Sequence, residues 1–108
     1  EEVYWELVKY CKQNNLKVFA QVSLGEIVSS GGEEYRYVNS KRVDFCITDR
    51  GFYPIAVVEY QGSGHMNETS EERDGVKREA VENAGITYVS LNVGSEHRVA
   101  EELQDHGV

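Results

Sequence analysis

No apolar run in this chain approaches the roughly 20 residues needed to cross a bilayer, and no charged segment followed by an apolar core and small cleavage residues opens it. Neither a helical membrane span nor a leader pattern is read in these residues, and the expectation is a soluble, cytoplasmic protein with no membrane partner. Cysteine is scarce: Cys11 and Cys46 are the only two. They fall in different predicted elements, which rules out a CxxC redox pair and a zinc knuckle; both are expected reduced and buried. Basic side chains are also few, 11 against 19 acidic, for a net charge of −8. That is the wrong sign for a free-standing, tight nucleic-acid binder. There is one proline and no low-complexity segment or internal repeat. The initiator methionine is missing as well, since the chain starts at Glu1, which suggests a piece of a longer protein with other domains as its neighbours.

What is present fits one folded unit. Of 108 residues, 40% are apolar and 28% charged, so residues 1–108 are expected to form a single domain around one core. Tyr4, Leu7, Val8 and Cys11 recur at helical spacing over residues 1–14, with Asn14-Asn15 as a stop. Val18, Ala20, Val22 and Leu24 alternate with polar or aromatic neighbours and predict a strand, broken at Ser29-Ser30-Gly31-Gly32. Strand formers then run from about Tyr35 to Asp49, with Val43, Phe45 and Ile47 on one face and Asp44, Cys46 and Thr48 on the other. Arg50-Gly51 makes a turn. Ile55 to Gln61 is the most apolar run and reads as a central strand entering a tight Gly62-Ser63-Gly64 loop. A second helix is predicted from about Ser70 to Ala84, capped by Ser70 or Thr69, closed by Gly85 and buried along Val76, Ala80 and Ala84. A strand from Ile86 to Val93 and a short polar helix from about Ser95 to Gly107 complete an α-β-β-β-α-β-α order.

Polar residues inside the strands carry the functional signal. Asp44 interrupts Arg42-Val43-Asp44-Phe45-Cys46-Ile47, where every neighbour favours β structure. It can face solvent, pair with Arg42 or Lys41, or serve a site. Glu59 ends the apolar run and shares a strand face with Gln61. A buried carboxylate there requires a cationic partner, a basic side chain or a metal ion. Were these two strands antiparallel neighbours, Asp44 and Glu59 could converge on one hard divalent ion such as Mg2+. The glycines after Gln61 allow a close backbone approach to a phosphate or ion and bring His65 within reach. On the second helix Arg73 and Lys77 are four apart and can share a face; this is either a solvated face with pairs such as Asp74 with Arg78, or a phosphate grip. His97 and His106 have no such context.

These residues resemble the restriction-endonuclease-like, or PD-(D/E)XK, nuclease superfamily. The likeness extends to an uncharacterised bacterial domain family akin to very-short-patch-repair endonucleases and sometimes linked to topoisomerase-type zinc ribbons. The matching stretches are Val43-Asp44-Phe45, then Pro54 through Glu59-Tyr60-Gln61-Gly62-Ser63-Gly64-His65, then Arg73-Asp74-x-x-Lys77 and Ala84-Gly85-Ile86. With the opening helix and Gln21-Val22-Ser23-Leu24 they cover most of the chain. The resemblance implies an α/β fold with an α-β-β-β-α-β core and a mixed sheet flanked by helices. It further implies that Asp44 and Glu59 ligate the metal, and that Glu1, or else Glu2, contributes from the first helix. The sequence departs from the superfamily where a lysine follows the second acid by two positions, because Gln61 stands there. Lys77 from the neighbouring helix or His65 would then take over, and Met66 occupies the place of an aspartate found beside that histidine in relatives.

The expected function is therefore hydrolysis of phosphodiester bonds in nucleic acid, DNA in the first place, with Mg2+ or Mn2+ as cofactor. Asp44 and Glu59 would hold the ion, Gln61 would orient water, His65 would move a proton, and Arg73 or Lys77 would steady the phosphate. Arg42 and Arg78 add local positive charge for nucleic-acid binding, and neighbouring domains would supply the rest. Two other classes compete: an inactive module of the same fold that binds nucleic acid or a protein, and a structural domain whose strand carboxylates form an internal ion-pair network.

Overall fold

The computed structural model describes residues 2–27, 41–61, 68–92, 94 and 98–108, and not the side chains of 61 and 68–74. Helix α1, Glu2–Gln13, buries Val3, Leu7, Tyr10 and Cys11, a stripe at the helical period. It ends where Asn15 takes a positive φ of 59°, a conformation asparagine tolerates better than most residues. There the Leu16 N–H returns to the Cys11 carbonyl at 2.8 Å, satisfying a carbonyl the helix leaves open.

Among the described residues four strands follow: β1 Lys17–Ser23, β2 Arg42–Thr48, β3 Pro54–Gln61 and β4 Thr87–Asn92. They lie side by side in the order β1-β2-β3-β4. The first two neighbouring pairs are antiparallel and β3–β4 is parallel. A parallel pair needs a crossover, and helix α3, Glu68–Asn83, lies in the connection. Pro54 sits at the first position of β3, where its missing N–H breaks no interior ladder bond. Ala56, Val57 and Val58 are buried in succession, as a central strand covered on both faces requires.

The helices cover both faces of the sheet. On one, α1 and the C-terminal helix α4, Val99–Asp105, pack Leu7, Val99 and Leu103 onto Phe45, Ile47, Val58 and Leu91. On the other, Leu24 of a short helical turn α2, Leu24–Ile27, and Val81 of α3 pack onto Cys46, Val57 and Tyr88. The chain is an α/β protein with a four-stranded mixed sheet flanked by helices. Among the described residues no helix is long and apolar enough to cross a membrane.

Several local expectations shift. Leu24 leaves the strand for α2, and α3 begins at Glu68, so Thr69 and Ser70 lie inside the helix. The seam of α3 is Val76, Ala80 and fully buried Val81, while Ala84 is exposed in the turn that follows. Alternation also fails at one place: Val18, Phe45 and Ile47 pack beneath α1 and α4, yet Val22 and its partner Val43 join the opposite cluster. The change falls at Gln21, whose φ is +53°, between the pairs Ala20–Phe45 and Val22–Val43 and opposite Asp44. A left-handed residue in a strand turns the side chains beyond it, and here it does so beside the first candidate carboxylate.

Candidate functional site

The β2–β3 ladder runs from Ile47–Ala56 to Phe45–Val58, and its next pair would be Asp44 with Glu59. That pair is not made through the backbone. Instead the Asp44 N–H points to Glu59 Oε2 at 3.4 Å, and the Tyr60 N–H donates to Asp44 Oδ2 at 2.8 Å. Two carboxylates thus take the place of carbonyl acceptors where β2 and β3 part, while β3 stays paired to β4 as far as Gln61–Asn92. Glu59 is only 5% exposed; Asp44 is half-buried.

Lys77 completes this cluster. It lies one turn before buried Val81 on the sheet-facing side of α3, so its stem runs along the apolar seam and its ammonium reaches inward. Its Nζ is 3.0 Å from Glu59 Oε1. The three groups carry one positive and two potential negative charges. Burial is what shifts Glu59, whose carboxyl is pushed up to about 7: Lys77 opposes the rise, and the adjacent, hydrogen-bonded Asp44 adds to it. A group that titrates near neutrality can carry a proton or exchange it for a cation.

The donor set suits a hard divalent ion, which takes one or two carboxylates and otherwise keeps waters or substrate oxygens. A cation would also relieve the like-charge contact between Asp44 and Glu59. Among the described residues these two acids form a pair only, and no group of three or more His, Cys, Asp or Glu is brought together.

The other candidates fall as follows. Arg42 is exposed at the start of β2, paired through its backbone with Ser23. Arg78 is exposed, its Nε 3.8 Å from Glu82 Oε1 and its guanidinium 4.8 Å from the centre of the Tyr88 ring; it points to these groups and not to the carboxylates. Glu2 is exposed in the first turn of α1. Gln61 lies in β3, but its side chain is outside the described residues, as are Glu1, His65 and the side chains of Arg73 and Asp74. The parts missed in the sequence are backbone ones: the N–H groups of Asp44 and Tyr60, and left-handed Gln21 opposite them. Glutamine has no special preference for that conformation, so nothing local announces it.

Comparison with known proteins places the chain in a family. Residues 1–106 match the family described as a protein of unknown function, DUF2726, and the chain belongs to it. It is 46% identical over 76 residues to an uncharacterised protein of Haemophilus influenzae, covering 69% of this chain and 40% of that one. It is 43% identical over 79 residues to the uncharacterised protein y4bI of Sinorhizobium fredii, covering 72% of this chain and 57% of the relative. The chain therefore spans about half the length of these curated relatives. No solved structure matches.

Proposed function

We propose that this domain hydrolyses phosphodiester bonds in nucleic acid, DNA in the first place, with Mg2+ or Mn2+ as cofactor, on a restriction-endonuclease-like α-β-β-β-α-β core. The observation that carries the reading is the meeting of Asp44 and Glu59 where β2 and β3 separate, with Lys77 at 3.0 Å from Glu59. The element order, with β3 and β4 parallel across α3, is consistent with such a core. Lys77 also answers the departure at Gln61: a lysine absent from the strand enters the cluster from the helix.

A divalent cation bound here would activate water and neutralise charge developing on the phosphate. Asp44 and Glu59 are the residues that would hold it. The backbone N–H of Tyr60 fixes the Asp44 carboxylate, leaving Oδ1 outside that bond. Lys77 orients Glu59 and supplies positive charge beside the phosphate position. Gln61 and His65, next along the chain, are assigned to water orientation and proton transfer.

One observation favours a second reading, an inactive module or structural ion cluster: both Glu59 oxygens already have partners, Lys77 and the Asp44 N–H. Cleavage of a fluorescent oligonucleotide with Mg2+ or Mn2+, with Asp44→Ala as control, separates the readings. Metal-dependent cleavage lost in the variant supports hydrolysis. If calorimetry finds no Mn2+ binding and no metal yields cleavage, the hydrolytic reading is wrong.

A further inference from the structure

The turn joining β2 to β3, at the far end of these strands from the carboxylates, is tightly built. Asp49 Oδ1 accepts from the Gly51 N–H at 2.9 Å and the Tyr53 N–H at 3.0 Å. The Asp49 N–H bonds the Tyr53 carbonyl at 3.0 Å and the Phe52 N–H the Asp49 carbonyl at 3.2 Å. Within it Phe52 has a φ of +69°, a conformation in which a bulky residue is strained and glycine is not. Strain of this kind is held in place by its surroundings and concentrates at functional surfaces.

The strained residue displays its ring. Phe52 is 60% exposed, Tyr53 71% and Phe19 40%, with the Phe19 and Phe52 ring centres 6.1 Å apart. Lys17 Nζ stands 4.0 Å from the centre of the Phe52 ring. Arg50 is exposed on the same turn, its guanidinium 3.5 Å from Asn15 Oδ1. Asp49, the only acid of the turn, directs its carboxylate to backbone N–H groups. In a chain of net charge −8, the turn and the start of β1 thus carry three exposed aromatic residues, with Lys17 over one ring and Arg50 on the turn beside them.

Its position relates it to the carboxylates. Lys17 and Phe19 pair with Thr48 and Cys46, and paired residues project to one face. Cys46 packs beneath α3, the side from which Lys77 reaches Glu59. Along β2, Asp44 lies two residues beyond Cys46, about 7 Å at the usual rise, and five residues before Asp49, so the turn that carries Phe52 is about 17 Å away.

We infer that Phe19, Phe52 and Tyr53, with Lys17 and Arg50, form a stacking platform for the unpaired bases of single-stranded nucleic acid. Exposed ring faces accept any base, and flanking cations attract the phosphates. The charge of the patch, opposite to that of the chain, selects a polyanion. Binding here does not require cleavage; combined with the proposed hydrolysis, it makes single-stranded or locally unpaired nucleic acid the substrate class.

The test is fluorescence anisotropy of a labelled oligothymidylate with the 108-residue chain at low salt in EDTA. Metal-dependent cleavage is then silent, so failure of binding and failure of the hydrolytic reading are seen separately. Phe52→Gly removes the ring while relieving the left-handed strain, so loss of binding is not loss of fold; thermal unfolding verifies this. The wild type is expected to bind, and Phe52→Gly to bind roughly 5- to 150-fold more weakly, the range for one stacked base. Absence of wild-type binding, equal binding by the variant, or tighter binding of a blunt duplex would overturn the inference. So would a wild-type dimer that Phe52→Gly dissociates in sedimentation, which would assign the rings to a second copy of the chain.

Discussion

Stability of this domain should fall as pH rises through neutrality, and Glu59 is the reason. Its carboxyl moves from an ordinary 4.5 to about 7 in the fold, so between these values the folded chain holds a proton that the unfolded chain has released. Stability then decreases with pH: the contribution is fully present below about 4.5 and lost as pH rises through 7. At about 1.4 kcal/mol per pKa unit the gap amounts to roughly 3 kcal/mol, with most of it lost between about pH 5 and pH 8. Glu59 is almost fully buried, so solvent screening removes little of this. Other carboxylates also titrate in this range, and the informative quantity is the difference between the wild type and Glu59→Gln in urea unfolding at each pH. That difference should change by roughly 2–3 kcal/mol in the variant's favour from about pH 5 to pH 8. Under the metal-binding proposal, Mn2+ added at pH 8 should restore wild-type stability, by about 2.7 kcal/mol at one hundred times its Kd, and should not stabilise the variant equally. Parallel pH profiles for the two proteins would refute the argument that burial beside Asp44 governs this carboxyl.

Further outcomes follow from the same geometry. Lys77→Met removes the cation that lowers the Glu59 carboxyl, so at about pH 8 it should destabilise by up to about 3 kcal/mol and at about pH 5 by little, read from the same unfolding curves. Gly85 closes α3 with a φ of +80° and open space around its missing Cβ. Gly85→Ala should therefore lose only the backbone term, about 1–2 kcal/mol, with no change in near-ultraviolet circular dichroism. Burial pushes the thiols of Cys11 and Cys46 up to about 11, so neither should react with a thiol reagent near neutral pH until the protein is unfolded.

The local pattern reached far into the fold. Residue periods identified α1, the four strands and α3, and the order of elements agrees apart from the short turn α2. They also located Asp44 and Glu59 as acids set in strands that otherwise favour apolar and β-branched residues. What they left open was whether the helical face of α3 was solvated or functional; Lys77 proves half-buried and paired with Glu59, whereas Arg78 pairs with Glu82 and lies over Tyr88.

The sequence by itself determined the elements and the polar interruptions within them, because helix and strand periods are written into neighbouring residues. Only the tertiary structure decided that Asp44 stands opposite Glu59, that β2 leaves β3 there, and that Lys77 arrives from 18 positions further along the chain. Register and convergence of this kind arise from contacts between distant segments, summed over two faces of a sheet. No short window of sequence contains both partners of such a contact, and the left-handed bend at Gln21 belongs to the same class, a local conformation imposed by packing rather than chosen by the residue.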